Sequence, residues 1–246
     1  MIAKPTLMDS IKLPLAFVGL WWVIQLMQYV FELEFGYLGI YPLSLSGLKG
    51  IFIAPMIHGD FSHLIHNSIP FLVLSTMILF FYRSVALRSF IMIYLLTGIA
   101  VWVGARSVFH IGASGVVYGL MTFVLGNGLF RRNIKSIVLA LSVFIFYSGM
   151  LVGVLPNQEG ISWESHLFGA LVGLFVAFFY KEEIEEDELD EEIIEDDIAD
   201  ADRPFFLERD VFEMTREERR LAAEAEAQRL RDQQTGWTSS GSWDVD

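Results

Sequence analysis

Cysteine is missing from all 246 residues, which excludes disulfides and thiolate chemistry and leaves the redox compartment unreadable. Charge is scarce over most of the chain as well. Residues 1–180 hold nine Lys or Arg against six Asp or Glu, a net of +3; from residue 181 onward eight face twenty-four, a net of −16, and the two parts make up the −13 of the whole. A faintly basic, apolar body is thus followed by a strongly acidic tail, and the two have different surroundings. A cleavable signal is lacking too. The first apolar run, residues 13–31, is longer than a signal h-region, has no Ala-x-Ala-like cleavage site and is followed by further runs of the same kind.

Hydrophobic residues make up 54% of the chain, gathered into runs of roughly the 20 residues that cross a bilayer. Six spans are predicted, over 13–31, 61–82, 90–103, 113–130, 137–155 and 163–180. Between the first two, residues 32–59 mix Phe35, Tyr37, Leu38, Tyr41, Ile51 and Phe52 with Pro42, Pro55 and several glycines. That stretch is too broken to span and too apolar for a solvated loop, so it is expected to lie in the membrane interface. With the N-terminus inside, the inner connections carry Lys4, Lys12, Arg83, Arg88, Arg131, Arg132 and Lys135, then Lys181. The outer ones carry only Lys49 and Arg106, beside Glu32, Glu34, Asp60 and Glu159. This bias follows the positive-inside rule and predicts both termini in the cytoplasm.

Residues 181–201 are nearly all Asp and Glu, self-repelling and too poor in apolar side chains for a core, so disorder is expected there. Thr215 and Glu218 have capping-box spacing ahead of an Ala/Glu/Arg-rich stretch to about 231, which predicts a short solvated helix; 236–246 reads as a flexible end. The chain therefore divides into a membrane domain, 1–180, and a cytosolic tail, 181–246. The tail is a solvated appendage or a site for a cytosolic partner.

Polar and ionisable groups inside spans are costly and mark function. Here they are His63, His66, Asn67, Ser114 and His166. Ser114 stands between Ala113 and Gly115 where a loop becomes the fourth span. A serine there is an ordinary helix cap in isolation. However, Gly115 and Gly119 form one G-x-x-x-G pair and Gly169 and Gly173 another, with His166 three residues ahead of Gly169 on the same face. Such faces let helix backbones approach closely. If these two meet, Ser114 and His166 come within the roughly 2.6–3.2 Å that a nucleophile and its base require. An imidazole titrating near neutrality can take the hydroxyl proton and return it. With no carboxylate counted in the spans, a Ser-His dyad rather than a triad is expected. Tyr118, one turn beyond Ser114, can stack on the imidazole, or serve only packing. His63 and Asn67, four apart on one face, can donate to an oxyanion together with the Ser114 backbone N–H, or merely bond helices together. His58 is a candidate brace, while His66 and His110 read as surface or headgroup residues.

These residues resemble the rhomboid intramembrane serine proteases over roughly residues 36–180. His58-x-x-x-x-His63-x-x-x-Asn67 is similar to the second-span motif of that family, whose last His and Asn serve the oxyanion hole. Gly112-Ala-Ser114-Gly115-x-x-Tyr118-Gly119 is similar to its nucleophile motif, and His166-x-x-Gly169-x-x-x-Gly173 to its base motif. Lys49-Gly50 stands where many rhomboids carry Trp-Arg, and the acidic tail has no counterpart. The resemblance implies an all-α, six-transmembrane-helix rhomboid-like bundle with an interfacial first loop. It implies an endopeptidase that cleaves single-span membrane proteins near the outer face of the bilayer, without cofactor, metal or nucleic acid. The compact six-span form suggests a bacterial inner membrane. Substrates with helix-breaking residues are expected to be favoured, because a helix hides its carbonyls. Two other readings stay open. One is a catalytically silent protein that binds and escorts membrane proteins. The other is a transporter or metal-binding protein using His58, His63 and His66, although His66 sits about 300° round the helix from His63.

Overall fold

The apolar runs become helices, and the polar breaks between them become caps and short 3-10 turns. The structure is a computed structural model that describes residues 6–156, 162–183, 185 and 215–238. The helices are α1 (Leu7–Val30), α2 (Gly50–Ile53), α3 (Phe61–Phe81), α4 (Ala86–Gly104), α5 (Ser114–Phe130), α6 (Ile134–Tyr147), α7 (Trp163–Phe179) and, in the tail, α8 (Arg216–Thr238). Among the described residues there is no strand, only an isolated bridge between Ile40 and His110. Much of the acidic run expected to be disordered, and the end at 239–246, lie outside the described residues.

Several helices start ahead of their apolar runs because a cap starts them. Thr6 and Asp9 close a capping box on α1, and the Asn133 side chain accepts the Ser136 N–H at the head of α6. Thr215 and Glu218 do the same for α8, which runs on to residue 238, past the expected 231. Backbone contacts divide the chain into Met1–Leu189 and Asp190–Asp246. The first unit takes in the turn after α7, where Glu185 accepts from the Ser84 backbone and hydroxyl at 3.1 and 2.6 Å and Glu183 pairs with Arg88 at 3.4 Å.

Among the described residues four helical segments are long and apolar enough to cross a membrane: α1, α3, α4, and α6 together with its 3-10 continuation Ser148–Val154. The helices α5 and α7 have only 17 residues each. Every residue of α5 from Gly115 to Val124 is buried, so this helix meets protein on all sides and need not match the bilayer thickness. Helix α6 does the opposite and exposes Ile137, Val138, Leu141, Phe144, Ile145 and Phe146. An apolar surface of that extent suits acyl chains and not water.

Residues 32–59 fold into 3-10 turns, Gly36–Leu38, Leu45–Gly47 and Ala54–Met56, around α2. They are pinned to the bundle by the paired Ile40 and His110 backbones, both bonds 2.9 Å, and by the Trp102 indole donating to the Ser44 carbonyl at 2.9 Å. Tyr37, Leu43, Leu45 and Phe52 remain exposed.

The closest helix contact is between α5 and α7. A Cβ on Gly169 would overlap the Gly115 carbonyl, and one on Gly173 the Gly119 carbonyl; a Cβ on Gly115 would stand 3.0 Å from the Ser165 oxygen. Thr122 adds a hydroxyl bond across the contact to the Ala170 carbonyl at 2.8 Å. Gly169→Ala therefore forces the two backbones apart and is expected to cost about 1–3 kcal/mol in detergent unfolding experiments. Gly19→Ala, where nothing lies within 4 Å, is expected to be neutral or stabilising by up to about 1 kcal/mol.

Candidate active site

The segment 112–114 turns a loop into α5. Gly112 has φ +100°, in the left-handed region that favours glycine. Its N–H donates to the Ala54 carbonyl at 2.9 Å. A Cβ here would meet the His63 ring at 2.6 Å, so the missing side chain is what lets that imidazole lie against the loop. Ser114 is the first residue of α5 and is half-buried. As at any helix start, its N–H has no carbonyl partner within the helix.

His63 and Asn67 come from the first two turns of α3, which Asp60 caps by accepting the His63 N–H at 2.8 Å. Asn67 is 4% exposed, and its Nδ2 has no hydrogen-bond acceptor. That nitrogen lies 3.7 Å from where a Gly112 Cβ would stand. The His63 ring, the Asn67 amide and the Ser114 N–H thus all border the same few residues.

His166 is buried on α7, and the Tyr118 ring stacks on it at 4.2 Å between centroids and 10° between planes. Its Nδ1 bonds the Gly153 carbonyl at 2.8 Å, and the Tyr118 hydroxyl donates to the Met150 carbonyl. Both acceptors belong to the 3-10 segment after α6. The first turns of α5 and α7 touch through Gly115 and Ser165. Ser114 Oγ and His166 form no hydrogen bond with each other, so the expected approach to roughly 2.6–3.2 Å is not made although the two helix heads meet.

The remaining histidines separate cleanly. His66 is exposed and bonds its own helix through the Ser62 carbonyl at 2.7 Å. His58 is 2% exposed, in edge contact with His63 and tilted against Trp21, with both ring nitrogens unpartnered. Burial, helped by the neighbouring His63, pushes His58 down to about 3, so it is neutral. His110, read from the sequence as a surface residue, is instead buried at 2% exposure: its Nδ1 meets the Ser162 hydroxyl at 2.5 Å and its Nε2 the Arg106 carbonyl at 3.0 Å. Among the described residues no three His, Cys, Asp or Glu side chains cluster as metal ligands would.

The structure also adds a carboxylate that the count of spans had passed over. Glu164, in the first turn of α7, is buried; one oxygen pairs with Arg106 Nε at 3.0 Å and the other has no partner. It makes no hydrogen bond to His166. Glu164, Ser162 and Ser165, and any site role for Arg106, were not legible in the sequence because their meeting depends on the α4–α5 loop returning to the head of α7; only the position of Glu164 inside an apolar run hinted at it.

The Rhomboid domain family model matches residues 46–183. Uncharacterized proteins of Mycobacterium bovis and Mycobacterium tuberculosis are each 35% identical over 173 residues, covering 67% of this chain and 72% of the relative. One from Mycobacterium leprae is 34% identical over 173 residues, covering 67% and 68%.

The buried His58 makes stability depend on pH. At neutral pH it is mostly uncharged whether folded or unfolded, so folding displaces almost no proton. As pH falls below the ordinary 6.5, the unfolded chain takes up a proton that the folded chain does not accept until about 3, so stability declines across that window. His58→Phe is expected to lose less of its unfolding midpoint than the wild type between about pH 7 and about pH 4.

Proposed function

Because the chain belongs to the rhomboid family, a family of intramembrane proteases, we propose that it is itself a serine endopeptidase that cleaves single-span membrane proteins by a Ser114–His166 dyad. Ser114 Oγ attacks the scissile carbonyl carbon while His166 Nε2 takes the hydroxyl proton. The oxyanion that forms is held by the Ser114 N–H, Asn67 Nδ2 and His63. On collapse the C–N bond breaks and the amine leaves with the proton from Nε2. A water then gives a proton to Nε2 and attacks the acyl ester, releasing the carboxyl product and restoring the serine.

The observation that carries this reading is the Asn67 amide, buried and without an acceptor beside the loop that presents Ser114. Other buried polar groups are also unpartnered, Ser89 and Thr97 among them; what sets Asn67 apart is its place beside Gly112 and the His63 ring, next to the loop that presents Ser114. Tyr118, stacked on the imidazole, limits its rotation.

The site faces the outer side in the orientation given by the positive-inside bias, with six spans and both termini in the cytoplasm of a bacterial cell. There the acidic tail is free to meet a cytosolic partner. A fluorophosphonate probe is expected to label the detergent-solubilised wild type, and Ser114→Ala and His166→Ala are each expected to abolish labelling. Asn67→Ala should slow labelling by about 10²–10³-fold, the usual cost of removing one oxyanion donor. A folded wild type that stays unlabelled would favour the silent escort reading.

A further inference from the structure

The base in a serine hydrolase needs a third group that fixes its tautomer, because Nε2 is free to accept a proton only when the hydrogen sits on Nδ1. A carboxylate usually holds that hydrogen. Here Glu164 is bound to Arg106 and makes no bond to His166. What lies on Nδ1 is the Gly153 carbonyl, at 2.8 Å. A carbonyl oxygen only accepts, so the bond requires the hydrogen on Nδ1 and leaves Nε2 bare. We propose that the 3-10 segment Ser148–Val154 is the orienting third member of the site, with the Gly153 carbonyl setting the tautomer of His166 and the Met150 carbonyl fixing Tyr118 against it.

The local chain explains why these carbonyls are available. The last carbonyls of a helix have no partner within it, and Gly153 is the penultimate residue of a 3-10 segment that ends at Val154. Residue 153 is also glycine for a reason the site supplies: a Cβ there would run into the Tyr118 hydroxyl and stand 3.2 Å from His166 Nδ1. Gly149, in the same segment, has nothing within 4 Å of its own Cβ position. The two glycines therefore share one backbone type and differ in what they face. The consequence is that the least buried of the long apolar segments holds the base in its working form. Any displacement of that segment would release Nδ1.

This proposal rests on the dyad reading but is tested apart from it. Histidine-selective 15N labelling of the full chain in detergent, at a pH where the imidazole is neutral, reads the tautomer directly, with His166→Gln assigning the signal. The expected result is a protonated Nδ1 and a bare Nε2 on His166. In Gly153→Ala the signal is expected to move toward the Nε2–H form, with the limiting rate of fluorophosphonate labelling falling on the order of 100-fold, the cost of a misplacement of about 1 Å. The half-saturating probe concentration should stay unchanged, and Gly149→Ala should behave as wild type. A wild-type His166 carrying its hydrogen on Nε2 would overturn the proposal, and so would undiminished labelling in Gly153→Ala or an equal loss in Gly149→Ala. If Gly153→Ala does not fold, the wild-type tautomer decides alone. Labelling that persists in Ser114→Ala would instead defeat the dyad reading, and the tautomer measurement would still stand.

Discussion

The contact on which the rest of this fold depends is the side-chain-free approach of α5 to α7. Gly115, Gly119, Gly169 and Gly173 put backbone against backbone, closely enough that a Cβ on Gly169 or Gly173 would strike the facing carbonyl. In a bilayer the hydrophobic effect does not press helices together, and attraction must come from close packing and polar contacts. The glycine seam supplies the first, and Thr122 bonding the Ala170 carbonyl supplies the second. Ser114 adjoins one end of the seam and His166 precedes Gly169 by three residues, so the separation of the two functional groups is inherited from the separation of the helices.

Above the seam, the same geometry is locked by side chains. His110 lies four residues ahead of Ser114 and Ser162 four ahead of His166, and these two are joined at 2.5 Å. His110 also pairs its backbone with Ile40, while Arg106 reaches Glu164. One small cluster therefore ties the first loop, the α4–α5 connection and the head of α7 into a single frame. Buried polar groups are normally satisfied, and the members of this cluster are, apart from one Glu164 oxygen. Asn67 Nδ2, beside Gly112 and the His63 ring, has no acceptor.

Much of this could be read from the chain because glycine, histidine and long apolar runs carry strong local signals. The G-x-x-x-G spacings announced a close helix contact, and the apolar runs fell within a few residues of the helices wherever no cap intervened. Where a cap did intervene, at Thr6 or Asn133, polarity hid the helix start. The run over 137–155 looked uniform, yet it changes from α-helix to 3-10 at Ser148. Hydropathy is blind to that change, although it decides which carbonyls face His166 and Tyr118. His110 was misread for a related reason: its burial depends on two loops meeting, and a single sequence records only their lengths.

A carbonyl as the orienting group has a physical logic in this setting. A second ionised carboxylate at His166 would have to be desolvated within a mostly apolar bundle, a cost that buried ions recover only with a well-matched partner. The chain already holds one such carboxylate, Glu164, and gives it Arg106. A backbone carbonyl at Nδ1 supplies direction and part of the electrostatic stabilisation of the imidazolium without adding net charge, and it is already present at the end of the 3-10 segment. The proposed arrangement trades the stronger field of a triad for an orienting group that carries no net charge. For the proposed dyad, set among lipid-facing helices, that spares the bundle a second buried ion.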